Sequence, residues 1–174
     1  MAIPYGGLLA LASLRKAGVR AGQRVLVYGA SGAVGTSAVQ LARHLGAEVT
    51  GVCSTSNMDL VASLGAVGVI DYTREDFREQ AARYDVILDA VGRRKGSLAL
   101  RGCRAVLRPG GACVSVDDGT PNLRRDDLAL LGDLAESGEI RPVIDRIYAL
   151  ADVAEAHRYV DLGHKRGDVV VAVA

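Results

Sequence analysis

Short continuous runs of apolar residues alternate along this chain with stretches in which apolar residues recur every three or four positions. Val25 to Tyr28, Glu48 to Cys53, Val67 to Asp71, Asp85 to Asp89 and Ala112 to Val116 are runs of the first kind and predict buried strands. Tyr5 to Ala17 has helical spacing, as do Val34, Ala38, Leu41, Ala42 and Leu45, with Gly18 and Gly46 placed to end those helices. A short helix is predicted from Asn57 to Leu64, closed by Gly65. Thr73 followed by Asp76 has capping-box character and predicts a polar helix to about Arg83. A basic helix from about Arg93 to Cys103 follows the fourth strand, and Arg108 to Gly111 reads as a turn feeding the fifth. Beyond a polar loop, Asp117 to Asn122, a helix carries Leu128, Leu131 and Leu134 on one face. The chain then continues with an extended segment from Pro142 to Tyr148, a helix from about Asp152 to Leu162 and a last strand from Asp168 to Val173.

Strand and helix in repeated alternation, with strands too apolar to face water, imply an α/β fold: a doubly wound parallel sheet of the Rossmann type. In such a sheet the ligand crevice lies outside the carboxyl ends of the strands, where the strand order reverses. That rule brings Ala30 to Gly35, Cys53 to Asn57, Ala90 to Gly92 and the end of the fifth strand around one crevice. The length of 174 residues suits a single domain over 1–174.

The stretch with the most chemistry is Val25 to Gly51. Its first strand runs into Gly29-Ala30-Ser31-Gly32-Ala33-Val34-Gly35, and a helix begins inside that turn. A helix start offers backbone N–H groups without internal partners and the positive end of a dipole, both suited to a pyrophosphate. Gly32 lets the main chain approach phosphates, and Gly35 lets helix and strand pack closely. The pattern is A-x-G-x-x-G, with Ala30 where the dinucleotide fingerprint has its first glycine; a purely structural turn is the other reading. At the end of the second strand, Cys53-Ser54-Thr55-Ser56-Asn57 holds no acid to grip a ribose 2′-hydroxyl. Nothing there would repel a 2′-phosphate, and the hydroxyls could donate to one.

Charge and composition narrow the classes. Lys and Arg number 21 against 20 Asp and Glu, spread along the chain, which points to neither nucleic acid nor a membrane surface as partner. The N-terminus has no basic residue ahead of its apolar part, so it reads as structure and the expected location is cytoplasmic. Cys53, Cys103 and Cys113 form no C-x-x-C pair and predict reduced core thiols and no metal site. His44, His157 and His164 have no partner identifiable from sequence. Arg93-Arg94-Lys95 reads as a solvated face, with an anion site as the alternative because cations at a helix start oppose the dipole.

The runs VLVYGASGAVGTSAVQLARHLGAEVTGVCSTSN, SLGAVGVIDYTREDF, YDVILDAVG, LRPGGACVSV and RPVIDRIYALADVAEAHRYVDLGHKRGDVVV together resemble the cofactor-binding half of medium-chain dehydrogenases/reductases. The branch is the zinc-independent, quinone-oxidoreductase-like (zeta-crystallin-like) one, and the resemblance covers nearly the whole chain. It implies NADP(H) as cofactor, with NAD(H) possible, and hydride transfer to a quinone, enone or other activated carbonyl compound. It also implies that Ala30, Ser31, Gly32, Ala33, Val34 and Gly35 hold the pyrophosphate, that Ser54 and Tyr72 sit beside the adenosine 2′-phosphate, and that Asn57 belongs to the same cofactor site. Ala90, Val91 and Gly92 would line the ribose and nicotinamide side, and Val114, Ser115 and Val116 would approach the nicotinamide. No catalytic residue is assigned.

Three departures qualify these expectations. The basic residue usual in the loop after the second strand is replaced by Ser56 or Asn57, which predicts only a modest preference for NADPH. The family's substrate domain precedes the cofactor domain, and this chain starts at the helix linking the two, so residues 142–174 would pack toward a domain outside these residues. A strand that pairs across the family dimer is missing between Asp117 and Asp127, which makes that dimer doubtful. A stand-alone nucleotide-sensing module is the second functional reading. A class I methyltransferase fits the Arg108–Gly111 turn but would want an acid after the second strand. A short-chain dehydrogenase would need a tyrosine with lysine four residues on, and none of the 6 tyrosines has one.

Overall fold

The computed structural model describes residues 3–81, 83–92, 99–119 and 122–173. In chain order its elements are α1 (Ile3–Lys16), β1 (Arg24–Tyr28), α2 (Ala33–His44), β2 (Glu48–Cys53), α3 (Met58–Ser63), β3 (Gly68–Asp71), β4 (Tyr84–Asp89), α4 (Ala99–Val106) and β5 (Leu107–Ser115). They continue with α5 (Arg125–Glu136), β6 (Ile144–Ala149), α6 (Val153–Asp161) and β7 (Asp168–Ala172).

Five strands form one parallel sheet in the order β3-β2-β1-β4-β5. The chain moves outward from β1 through β2 to β3, then crosses back to β4 and on to β5, so the order reverses between β1 and β4. Side chains alternate between the two faces. Val25 and Val27 of β1 join the larger core with α1, α2 and α5, whereas Leu26 joins a smaller core with Ile87, Phe77, Cys103 and Val106. Burial on both faces is the reason these strands read as unbroken apolar runs. β6 and β7 stand apart as a two-stranded parallel sheet joined by α6, and Gly167 makes one bridge to Gly32.

The elements depart from the pattern-based reading in three places. The polar helix over 73–83 does not form; only a single 3-10 turn, Phe77–Glu79, is present. Asp76, the acid of the expected capping box, accepts from the Arg78 backbone N–H at 2.9 Å, and Asp71 at the end of β3 from that of Thr73 at 3.0 Å, so both close local turns instead. Arg108–Gly111 is no turn before β5 but an irregularity within it, since the register against β4 jumps from Tyr84–Leu107 to Val86–Ala112. On α5 Leu131 and Leu134 are buried while Leu128 is half exposed, because buried Asp127 takes the inward position beside it. The basic helix begins within the described residues at Ala99; Arg93, Arg94 and Lys95 lie outside them.

Asp127 joins α5 to α1. It accepts from both terminal nitrogens of Arg15, one at 3.1 Å, and its carboxylate also reaches back to the Arg124 N–H at 2.9 Å. The Arg15 hydrogen bond holds the Asp127 carboxyl below its usual range, with the Arg124 N–H adding to it. A depressed carboxyl contributes stability above its unfolded pKa and loses it as the pH falls through the folded value. Stability from this link is therefore expected to fade as the pH drops below about 4. Asp127→Asn should lower the unfolding free energy by about 1–3 kcal/mol in urea titrations at neutral pH, and flatten that acid dependence. A mutant as stable as the wild type would show that the link between the helices carries no weight.

Candidate nucleotide-binding site

At the switch point the carboxyl ends of the strands open into a crevice of about 850 Å³. Its floor is the turn from β1 to α2. The Gly29 and Ala30 N–H groups both donate to the Val52 carbonyl at 3.0 Å, which fastens the turn to β2, and Gly32 donates to the Gly29 carbonyl at 3.2 Å. Thr36 is the first residue whose N–H bonds back into the helix, to Gly32 at 2.9 Å. The N–H groups of Ala33, Val34 and Gly35 therefore head the helix without intrahelical partners.

The two glycines of this turn do different work. A Cβ on Gly35 would run into the Gly29 carbonyl and the Ala30 backbone, so packing of α2 on β1 requires glycine. A Cβ on Gly32 would meet only the Gly29 carbonyl, at an ordinary 3.6 Å, and its φ of −80° suits any residue. Nothing inside the protein demands glycine at 32. Gly32 lines the crevice, so its bare backbone is open to that space.

Hydroxyls and an amide form the wall at the end of β2. Asn57 is 8% exposed; its Nδ2 donates to Ser54 Oγ at 3.0 Å and to Ser31 Oγ at 3.3 Å, and its Oδ1 is buried without a protein partner. Ser31, having accepted from the amide, keeps its own proton to give to a ligand acceptor, while Ser54 Oγ also lies 3.4 Å from Ser56 Oγ. At the end of β3, buried Asp71 accepts from the hydroxyls of Thr55 and Thr73, and the Thr55 bond leads the effects that hold its carboxyl below the usual range. Tyr72 beside it presents a half-exposed ring to the crevice.

Asp89, fully buried, shapes the opposite wall. Its Oδ1 accepts from the N–H groups of Val91 at 3.2 Å and Gly92 at 3.1 Å, and its Oδ2 from the Ser115 hydroxyl at 3.1 Å. One carboxylate thus sets the turn after β4 and ties it to β5. Sequence reading treated it only as the last residue of a strand.

Of the residues expected at the site, Ser31, Gly32, Ala33, Val34, Ser54, Asn57, Tyr72, Ala90, Val91 and Val116 line this crevice. Ala30, Gly35, Gly92, Val114 and Ser115 are buried just behind it and shape the backbone rather than the surface. The C-terminal segment adds residues the sequence did not mark. Gly167 donates to the Ser31 carbonyl at 2.7 Å, bringing His164, Lys165 and Arg166 to the rim. Tyr159 donates to Asp145 Oδ2 at 2.5 Å, and the Arg146 guanidinium lies 3.9 Å over its ring. That hydrogen bond holds the Tyr159 phenol above its ordinary value. Only the adjacency of HKRG to the strand preceding the chain end could have suggested this rim, and periodicity carries no such information.

The cysteines are free; Cys53 and Cys103 are buried, and burial pushes the Cys53 thiol up to about 11. Among the described residues no cluster of three or more His, Cys, Asp or Glu side chains is arranged to hold a metal ion, and no helix is long and apolar enough to cross a membrane.

Comparison with known proteins agrees with this geometry. Two family models, each described as zinc-binding dehydrogenase, match residues 33–130 and 118–171. The 2-methylene-furan-3-one reductase of Solanum lycopersicum is 34% identical over 98% of this chain and 45% of its own length. The chloroplastic NADPH-dependent alkenal/one oxidoreductase of Arabidopsis thaliana is 34% identical over 87% of this chain and 41% of its own. The quinone oxidoreductase of Coxiella burnetii superposes with a TM-score of 0.87 at 28% identity, covering 99% of this chain and 60% of that one. The chain thus spans about half the length of the curated relatives it matches. It belongs to the zinc-binding dehydrogenase family, within the quinone-oxidoreductase-like branch of the medium-chain dehydrogenases/reductases.

Proposed function

We propose that this chain is the NADP(H)-binding half of a zinc-independent reductase that passes hydride to a quinone, an enone or another activated carbonyl compound. The observation that carries the reading is Gly32. It is a glycine for which the protein has no internal need, set over the open N–H groups of α2 and next to an amide oxygen without a partner. A pyrophosphate fits that cradle, and the hydroxyls of Ser31 and Ser54 suit phosphate or ribose oxygens. The names of the Solanum lycopersicum and Arabidopsis thaliana relatives, one a reductase and the other an NADPH-dependent oxidoreductase, support the same chemistry.

The bound dinucleotide would supply the hydride. The residues of this chain bind and orient it: Ala33 and Val34 through their N–H groups, and Tyr72 through its ring. Ala90, Val91 and Val116 would confine the opposite end. Tyr159 is a poor choice of proton donor, since its phenol is already given to Asp145. Zinc independence is part of the reading: Cys53, Asp117, Asp145 and His164 lie on the crevice, but no three such side chains among the described residues are grouped to hold a metal ion. The free thiols suit a reducing compartment and a cytoplasmic location. We take residues 142–174 as the segment that meets a substrate domain, because β6 leaves Ile144 and Ile147 exposed. The described residues between β5 and α5 hold no strand, which argues against the usual dimer through that edge.

Two substitutions separate the roles of the glycines. Gly32→Val should leave circular dichroism and thermal unfolding close to wild type while abolishing NADPH binding in titration calorimetry. Gly35→Ala should instead lower stability, by about 1–3 kcal/mol as overpacking does. Retained affinity in a folded Gly32→Val protein would mean that the turn is structural only.

The 174-residue polypeptide alone should bind NADPH yet transfer hydride slowly. Positioning an acceptor against the cofactor can contribute roughly 7–11 kcal/mol, and relatives devote the other half of their length to more than this chain contains. Following NADPH absorbance with several quinones and enones checks this. Turnover in the range of about 1–1000 per second would show that the crevice is complete by itself.

A further inference from the structure

The wall that would face the adenosine end of a dinucleotide is built from two strand ends stitched together. Thr55, just after β2, hydrogen-bonds to Asp71 at the end of β3 and lies 3.1 Å from the Thr73 hydroxyl. Ser54 and Ser56 flank Thr55 and line the main crevice. Tyr72 lines both that crevice and a smaller groove beside it, whose wall includes Thr73, Arg74 and Arg78. The loop after β2 has no cation, but the loop after β3 places one next to it. Arg74 Nε is 3.6 Å from Asp71 Oδ2, and the Arg74 side chain is 74% exposed.

The charges around Arg74 leave it available. Asp71 is buried and already accepts from two hydroxyls and one N–H. Asp76 is held by Arg78, whose Nε reaches both its oxygens at 2.8 and 2.7 Å, and Glu75 accepts from Gln80 at 2.9 Å. Arg74 anchors through Nε and keeps its two terminal nitrogens, the pair that makes bidentate contact with phosphate oxygens.

We propose that Arg74, supplied by the loop after β3, is the cation that recognises the phosphate on the adenosine 2′-oxygen, together with the hydroxyls of Ser54 and Ser56. The proposal rests on the dinucleotide reading of the crevice and adds what selects NADPH over NADH. It replaces the modest preference expected from a loop of neutral donors with a strong one, carried by a residue 18 positions beyond Ser56.

Titration calorimetry with NADPH, NADH, 2′,5′-ADP and 5′-AMP on wild type, Arg74→Gln, Arg74→Lys and Arg166→Gln tests it, with thermal unfolding to verify that each variant is folded. Wild type should prefer NADPH to NADH by about tenfold or more, the yield of a charge-assisted contact. Arg74→Gln should lose most of that preference, and the same fraction for 2′,5′-ADP over 5′-AMP, with NADH unchanged; Arg74→Lys should recover part. Arg166 rims the same crevice, so Arg166→Gln should leave the preference in place. A preference that survives Arg74→Gln, falls with Arg166→Gln instead, or drops equally for NADH would overturn the assignment. Wild type that binds NADPH and NADH alike would refute Arg74 selection while the dinucleotide reading stands. Wild type that binds neither would remove both.

Discussion

The site depends on how closely α2 begins against the end of β1. Gly35 lies on the Gly29 carbonyl with no room for a methyl group, and this contact fixes the direction in which the first N–H groups of the helix point. Were α2 displaced by the thickness of a side chain, those groups would no longer meet the crevice between β1 and β4. The rest of the architecture keeps this geometry in place. β1 is paired on both sides, its three central residues are fully buried, and the turn is fastened to β2 through the Val52 carbonyl.

Around that fixed start, the walls of the crevice are set by side chains that use their hydrogen-bonding capacity on the backbone. Asp89 shapes the turn after β4, Asp71 the one after β3, and Asn57 joins the serines of two loops. These are buried polar groups with partners, as the cost of burying them demands. The exception among them, the Asn57 Oδ1, is buried without a protein partner on a residue that lines the crevice. Rigid walls of this kind bind without a large ordering cost, which favours a cofactor held in one pose.

Much of this was legible in the residues. The runs at Val25, Glu48 and Asp85 announce buried strands because both faces of each are covered, and the glycines between strand and helix announce the tight turn from which α2 opens onto the crevice. What was not legible came from side chains choosing local partners or from contacts distant in sequence. Asp71 and Asp76 turn inward on Thr73 and Arg78, so a helix expected over 73–83 shrinks to one turn. Asp127 takes a buried place beside Leu128 because Arg15, 112 positions away, is there to meet it. Contacts distant in sequence also set the basic surroundings of the crevice: the pairing of β2 with β3 puts Arg74 in the groove beside it, and the contact of Gly167 with Ser31 brings Lys165 and Arg166 to its rim.

A crystal structure of the chain with NADP+ would test the central claim directly. The pyrophosphate should lie over Gly32 with its oxygens within hydrogen-bond distance of the Ala33 and Val34 N–H groups, and the adenosine should lie toward Tyr72. A dinucleotide found elsewhere, or a complex that leaves those N–H groups to solvent, would contradict the reading of this turn as a phosphate site.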